Sequence, residues 1–277
     1  MTIDPTATID PTAAIHPTAT IGTQVTIGAR ARIDPGVYIA ARTSIGDDVV
    51  IGPNAAILGD ESATPTTIGE SASVGANASI LAAVTVGPHA VVGAGSVVNR
   101  DVPPFATAVG APARIVGYQS SPGFTTGRGL RASSLADDEL PLSIGRATLT
   151  RFPLITDLRG SLSFGETPTH LPFAPKRYFL VFDVPSPEVR GEHAHHSLHQ
   201  LLICVRGECA IAVDDGSERG QVVLDRPDTA LHLPPLVWGS QYRFSADATL
   251  LVLASDVYEA DDYIRTYDEF LSAVNDG

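Results

Sequence analysis

Along the first hundred residues the apolar positions keep a fixed period. Isoleucine stands at 3, 9, 15, 21, 27, 33, 39, 45, 51 and 57, ten times in steps of six. The residue after each is usually small or acidic (Asp4, Asp10, Gly22, Gly28, Asp34, Gly46, Gly52), and the fifth position of each hexad is usually Ala, Val or Thr. The register breaks after Ile57 and resumes at Ile68, Val74, Ile80, Val86, Val92 and Val98. The step from 57 to 68 therefore holds five residues more than one hexad, and Pro103-Pro104 ends the pattern. A period of six is one short strand plus a turn, one side of a prism, and stacked coils bury a column of aliphatic side chains while polar positions face outward. Sixteen hexads at three per coil predict about five coils.

From Tyr118 to about Gly145 the period is absent and Ser, Gly, Pro and charge prevail, which predicts a linker over 119–145 between domains at 1–118 and 146–277. Within it "SSLADDEL" reads as a short capped helix, Ser134 preceding Asp137-Asp138, in a tether. After 146, runs such as "KRYFLVFDV", "HQLLICVRG", "CAIAVDDG" and "TLLVLASD" alternate with turn signals and predict an all-β barrel or sandwich. Tyr263, Tyr267 and Phe270 stand at helical spacing in the tail, predicting a closing helix.

Composition supports two architectures. Of the 17 aromatic residues three lie in 1–118 and fourteen in 119–277, so an Ile/Val/Ala core precedes one built around rings. The formal charge is −13, with 17 Arg and a single Lys and no basic run, which disfavours nucleic acid and anionic membrane as partners. The N-terminus opens directly on the hexad pattern, and no run of about 18 apolar residues occurs, so a soluble cytoplasmic protein is expected. Cys204 and Cys209, five apart in one apolar run, read as reduced core residues on opposite faces.

The hexads, with "TTIGESASVGANASILAAVTVGPHAVVGAGSVVNRDVPPFATAVGAPARIVG" at 67–117, resemble the left-handed parallel β-helix of hexapeptide-repeat sugar N-acetyltransferases. That resemblance implies acetyl-CoA as co-substrate, bound between neighbouring coils, and trimerisation. Gly75, Gly93, Gly95, Ala111 and Arg114 match positions near the CoA tunnel, although such glycines also serve turns. In related 3-N-acetyltransferases the excursion carries an Asn-Asp pair that contacts the sugar. Here it reads Gly59-Asp60, which leaves Asp60 as the candidate sugar contact and a non-catalytic trimerisation scaffold as the rival reading. A carbonic anhydrase of this fold needs three converging histidines, and 1–118 holds only His16 and His89.

Five of eight histidines fall in 170–199, four of them in "RGEHAHHSLHQ". In an extended segment His193 and His195 share a face and His196 takes the other. Two imidazoles on one cavity mean metal ligation or proton transfer. H-x-H resembles the first cupin metal motif, but His199 or Gln200 occupies the place of the third ligand, "LPPLVWGSQY" has no histidine and His232 is out of position. A metal needs a complete ligand set, so none is assigned.

"FPLITDLRGSLSF", "LPFAPKRYFLVFDVP", "RGEHAHHSLHQLLICVRG" and "LVLASDVYEADDYIRTYDEFL" are, in order, similar to landmarks of the cupin-type dTDP-4-keto-6-deoxyhexose 3,4-ketoisomerases. The resemblance implies a jelly-roll domain, dimerisation, no cofactor, and His195 and His193 as the catalytic acid–base pair. Arg177 and Arg190 are candidates for the diphosphate, Gln200 and Trp238 for the substrate pocket. Arg159, with Gly239 after the Trp, leans toward a galacto-configured product. The whole implies a bifunctional enzyme acting on a dTDP-sugar, with the two domains flanking an aminotransferase step, and a trimer or hexamer. A cupin sugar-nucleotide epimerase and a metal-dependent oxygenase are the rivals.

Overall fold

The computed structural model describes residues 2–59, 64–120, 130–185 and 188–276, and the chain divides into two compact units, Met1–Tyr118 and Gln119–Gly277. The first is a parallel β-solenoid of three sheets with six, five and seven strands, in which neighbours are three strands apart in the chain except at the closing end of the seven-stranded sheet. Ile3 pairs with Ile21, Ile27 with Ile45 and Ile33 with Ile51, a shift of three hexads per coil. Across the excursion Ile45 pairs with Ile68, Ile51 with Val74 and Ile57 with Ile80. The registers before and after the excursion are therefore continuous, and so is the aliphatic column. Ile21, Ile33, Ile39, Ile51, Ile57, Ile68 and Ile80 are fully buried in it.

From the second coil on, corners turn through left-handed residues at six-residue steps, from Gln24 (+53°) through Arg30, Gly36, Arg42 and Asp48 to Asn54 (+56°). The non-glycine residues among them are strained, and the stack compensates by hydrogen bonds along its axis. The N–H of Arg42, Asp48 and Asn54 donates to the carbonyl of Thr23, Ala29 and Pro35 one coil earlier. Beneath the second coil the hydroxyls of Thr6, Thr12 and Thr18 accept instead, each at 2.9 Å from Gln24, Arg30 and Gly36. The antiparallel pair Ala106–Gly110 and Ala113–Tyr118 closes the solenoid.

The second unit packs two six-stranded sheets face to face. One runs in the order Leu130–Arg131, Arg219–Leu224, Cys209–Asp214, Trp238–Tyr242, Arg190–His195, Tyr263–Ile264. The other runs Leu142–Ile144, Ala147–Arg151, Thr229–Leu233, Gln200–Arg206, Thr249–Ala254, Arg177–Phe182. Both contribute inward aliphatics to one core that includes Leu149, Leu202, Ile211, Val222, Leu231 and Val252, the jelly-roll arrangement the second half of the sequence implies.

Four expectations are corrected here. Residues 130–145 do not form a tether: Leu130–Arg131 pairs with Val222–Val223, and Leu142–Ile144 with Ala147–Leu149. In place of a capped helix, "SSLADDEL" makes two single turns, Ala132–Ser134 and Asp137–Glu139. The Arg151 guanidinium takes the carbonyls of Ala132 (2.8 Å) and Leu135 (3.1 Å) that a longer helix would need. Cys204 and Cys209 are free, buried and face the same core, because a bulge after Cys204 and the turn at Gly207 change the phase between them. The closing helix spans only Tyr267–Asn275, capped by the Thr266 hydroxyl, and Tyr263 lies upstream on a strand paired with the histidine strand. No described helix is long and apolar enough to cross a membrane.

Candidate active site

The histidine strand Arg190–His195 is not regular. A bulge falls between Gly191 and His193, with φ of +79° at Gly191 and +56° at Glu192. A Cβ on Gly191 would sit 2.6 Å from the Gly239 carbonyl oxygen, so only glycine fits. Beyond the bulge His193 lies opposite Gly239, and His193 and His195 both point between the sheets, into a cavity shared with Leu198, Gln200, Leu233 and Gln241. Their rings meet edge to face at 5.0 Å.

The partners of each ring determine its tautomer. His193 Nδ1 is 2.9 Å from the Gly191 carbonyl oxygen, which only accepts, so Nδ1 carries the proton. His195 Nδ1 is 2.9 Å from Asp262 Oδ2, and His195 Nε2 accepts from the Gln200 amide at 3.1 Å. Burial alone would raise the Asp262 carboxyl, but hydrogen bonds from Ser197 and His195 outweigh it and hold the group below the usual carboxylate range. Burial lowers His193 against the pull of the Gly191 carbonyl. Burial and the neighbouring His193 push His195 down to about 4, only partly opposed by Asp262. At neutral pH both imidazoles are therefore uncharged, with Nε2 lone pairs, the form a general base requires.

Around them stand two groups that no short-range pattern marked, Tyr263 and Arg265, and one candidate, Arg177. The Tyr263 ring is 4.3 Å from His195 and 4.9 Å from His193, and the Arg265 guanidinium lies 4.4 Å over it. Their only sequence signal is the "DDYIR" run beside the tail helix. Arg177 is sandwiched 5.5 Å from the rings of both Phe179 and Tyr258, close enough for its charge to lower His195. Its Nε is buried without a hydrogen-bond partner among the described residues, a donor that lacks an acceptor.

The remaining candidates divide. Gln200 is in the cavity, 4% exposed. Trp238 is not. It packs under the tail helix against Tyr267 (5.5 Å) and Phe270 (5.7 Å), since strand alternation turns Gly239 inward in its place. Arg190 is exposed at the start of its strand. Arg159 sits on a separate two-stranded hairpin, its side chain 90% exposed and bound to Asp157 at 2.6 Å, because the turn at Gly160 folds it back on that carboxylate. His199 and His232 form a second pair, Nδ1 to Nε2 at 3.0 Å and stacked beside Phe173. They lie on the outer face of their sheet, apart from the cavity, because His232 pairs with outward-facing Leu201. Among the described residues no group of three His, Cys, Asp or Glu could hold a metal.

In the solenoid, Asp60 lies outside the described residues. Gly75 and Gly93 occupy successive layers of one side, beneath the hairpin that carries Ala111 and Arg114. A Cβ on Gly75 would be 2.5 Å from Ala94 N, and one on Gly93 would be 3.1 Å from Val109 Cγ2. Gly95 is a left-handed corner (φ +68°) facing open space, and Arg114 is exposed opposite Val109.

A hexad solenoid followed by a jelly-roll barrel with two imidazoles in its cleft defines a hexapeptide-repeat protein fused to a cupin-like domain. Residues 25–59 and 65–100 match the bacterial transferase hexapeptide repeats, and residues 146–275 match the family described as FdtA, WxcM-like, C-terminal. Over 119 residues the chain is 44% identical to TDP-4-oxo-6-deoxy-alpha-D-glucose-3,4-oxoisomerase of Aneurinibacillus thermoaerophilus, spanning 43% of this chain and 86% of that protein. The chain belongs to this oxoisomerase family, joined to a hexapeptide-repeat domain. Among solved structures, a 3,4-ketoisomerase from Helicobacter canadensis is 40% identical, with a TM-score of 0.46, over 47% of this chain and 98% of that one. A GDP-perosamine N-acetyltransferase variant from Caulobacter crescentus, in complex with CoA and GDP-perosamine, is 31% identical with a TM-score of 0.35, over 42% and 55%.

Proposed function

We propose that the C-terminal domain converts dTDP-4-keto-6-deoxyglucose into a dTDP-3-keto-6-deoxyhexose of galacto configuration. The observation that carries this reading is the pair of uncharged imidazoles, His193 and His195, aimed into one cavity of a domain that belongs to the oxoisomerase family. A hydrogen on C3 beside a C4 ketone is weakly acidic. A base removes it, the enediolate is stabilised, and C4 is reprotonated. His195 moves the carbon-bound proton, His193 relays the proton between O3 and O4, and Arg177, with its unpartnered Nε, meets the sugar oxygens or diphosphate. Atoms balance without an oxidant or reductant, because one ketone and one alcohol exchange places.

Both imidazoles lie on one strand, so the proton leaves and returns on one face. The C3 hydrogen of a gluco-configured chair is axial. Delivery to C4 on that same face leaves the C4 hydroxyl axial, which is galacto.

The N-terminal domain, on the support of its hexapeptide-transferase match and its "GAPARIVG" ending, would acetylate the 3-amino sugar that an aminotransferase makes from this product, with acetyl-CoA as donor. Trimers through the solenoid and dimers through the cupin would give a hexamer of 3-2 symmetry in the cytoplasm.

Incubation with dTDP-4-keto-6-deoxyglucose followed by product NMR is expected to show dTDP-3-keto-6-deoxygalactose. Unchanged substrate would sink the isomerase reading, and a gluco product would sink the single-face argument. A separate incubation with acetyl-CoA and dTDP-3-amino-3,6-dideoxygalactose is expected to release CoA. Absence of release leaves the solenoid a scaffold.

A further inference from the structure

Asp262 lies 67 positions from His195 in the chain, yet their side chains meet at 2.9 Å. The contact is built from two directions. Tyr263 and Ile264 pair with His195 and Ala194, which brings the segment alongside the histidine strand, and the His196 N–H donates to the Asp262 carbonyl at 2.9 Å. The carboxylate is then fixed by donors other than the histidine. Oδ1 accepts from the Ser197 N–H (2.8 Å) and hydroxyl (2.7 Å), and Oδ2 accepts from the Leu198 N–H (3.2 Å). Three donors already hold the group in place, so its remaining lone pair is aimed at His195 by a rigid frame and not by the histidine itself.

We infer that Asp262 is the positioning residue of the isomerisation: it keeps His195 in the Nδ1–H tautomer, so that Nε2 takes the C3 proton, and it stands as the anion beside the imidazolium until that proton is delivered to C4. The inference rests on the isomerase reading above. In the first half of the cycle the C3–H bond breaks, its electron pair becomes the C3=C4 bond, the C4=O π pair moves onto O4, and the proton forms an Nε2–H bond. In the second half the O3–H proton passes through His193 to O4, the freed O3 pair forms the C3 carbonyl, and the C3=C4 pair takes the proton from Nε2 to make the C4–H bond.

Throughout, the Nδ1 proton stays between His195 and Asp262. The imidazolium is otherwise poorly placed, since burial, His193 and Arg177 all disfavour it. Asp262 is the neighbour that favours it, and the carboxylate stays ionised because Ser197 and Leu198 donate to it. In the ligand-free site the Gln200 amide occupies His195 Nε2 at 3.1 Å, and substrate must take that place.

The test compares the full-length protein with Asp262→Asn by steady-state kinetics on dTDP-4-keto-6-deoxyglucose and by ¹⁵N NMR of the histidine rings. Loss of the anchored tautomer is expected to lower kcat about a hundredfold or more and leave KM within about threefold, because Asp262 is not among the residues that line the cavity. In the wild type the His195 ring is expected to show Nδ1–H with a bare Nε2, and in the variant a mixed or reversed tautomer. A variant kcat within about threefold of wild type, a loss confined to KM, or an unchanged tautomer in the variant would overturn the inference. Should Asp262→Asn not fold, the wild-type spectrum decides: Nε2–H on His195 overturns it as well. A wild type that turns over no substrate sinks the isomerase reading instead, while the tautomer measurement still tests the contact.

Discussion

His195→Asn is expected to lower kcat for 3,4-ketoisomerisation by about 10³-fold or more while leaving the unfolding temperature and any acetyl transfer by the solenoid unchanged. Positioned general acid–base groups contribute about 10² to 10⁴-fold, and here one ring does the work of both proton transfers at carbon. Asparagine can place its amide N–H where His195 Nδ1–H stands, so the buried Asp262 carboxylate keeps a donor, and only the contact of Nε2 with the Gln200 amide is lost. The pH profile supplies an independent check. An ordinary histidine would lose its base form below about 6.5. Burial and His193 push His195 down to about 4, so protonation is delayed, and the acid limb of kcat/KM is expected well below 6.5. Near-wild-type kcat in the variant would refute the base assignment, and an acid limb at 6.5 would mean that the ring is solvated during turnover.

The contrast between the two domains explains what could be read in advance. In the solenoid every coil repeats one local rule, so Ile33 over Ile51 and Ile51 over Val74 follow from counting residues. Even the excursion after Ile57 is visible as an interruption of that count. The barrel is assembled from distant pairings, and spacing reveals only what one strand carries. His193 and His195 are legible because an i, i+2 pair shares a face.

Asp262, Tyr263 and Arg265 were illegible as site residues because nothing local ties them to 193–195, and helical spacing to Tyr267 pointed Tyr263 the wrong way. Trp238 was misplaced by one step of alternation, with Gly239 taking the inward position. Arg159 shows another limit: resemblance attaches it to the substrate, whereas its side chain here is bound to Asp157 on an exposed hairpin.

Gly191→Ala is expected to lower kcat by about 10²-fold and to cost about 1–3 kcal/mol of stability. Two effects act together at this residue. Its φ of +79° is a conformation that alanine rarely adopts, and the added Cβ would lie 2.6 Å from the Gly239 carbonyl oxygen, a backbone atom that cannot swing aside. The chain must relieve both by opening the bulge. An opened bulge restores plain alternation across Gly191 and Glu192 and turns His193 out of phase with Gly239, its present partner. The Gly191 carbonyl that fixes His193 Nδ1 moves with it, so His193 loses its tautomer as well as its aim. A displacement of about 1 Å at a reacting group is enough for a hundredfold loss. His195, held separately through Asp262, should keep its position. The variant is therefore expected to retain binding of dTDP and to exchange the C3 hydrogen with solvent faster than it forms product, because removal of the carbon-bound proton survives while the relay between O3 and O4 fails. Wild-type kcat together with a wild-type melting temperature would show that the bulge is not what aims the histidines.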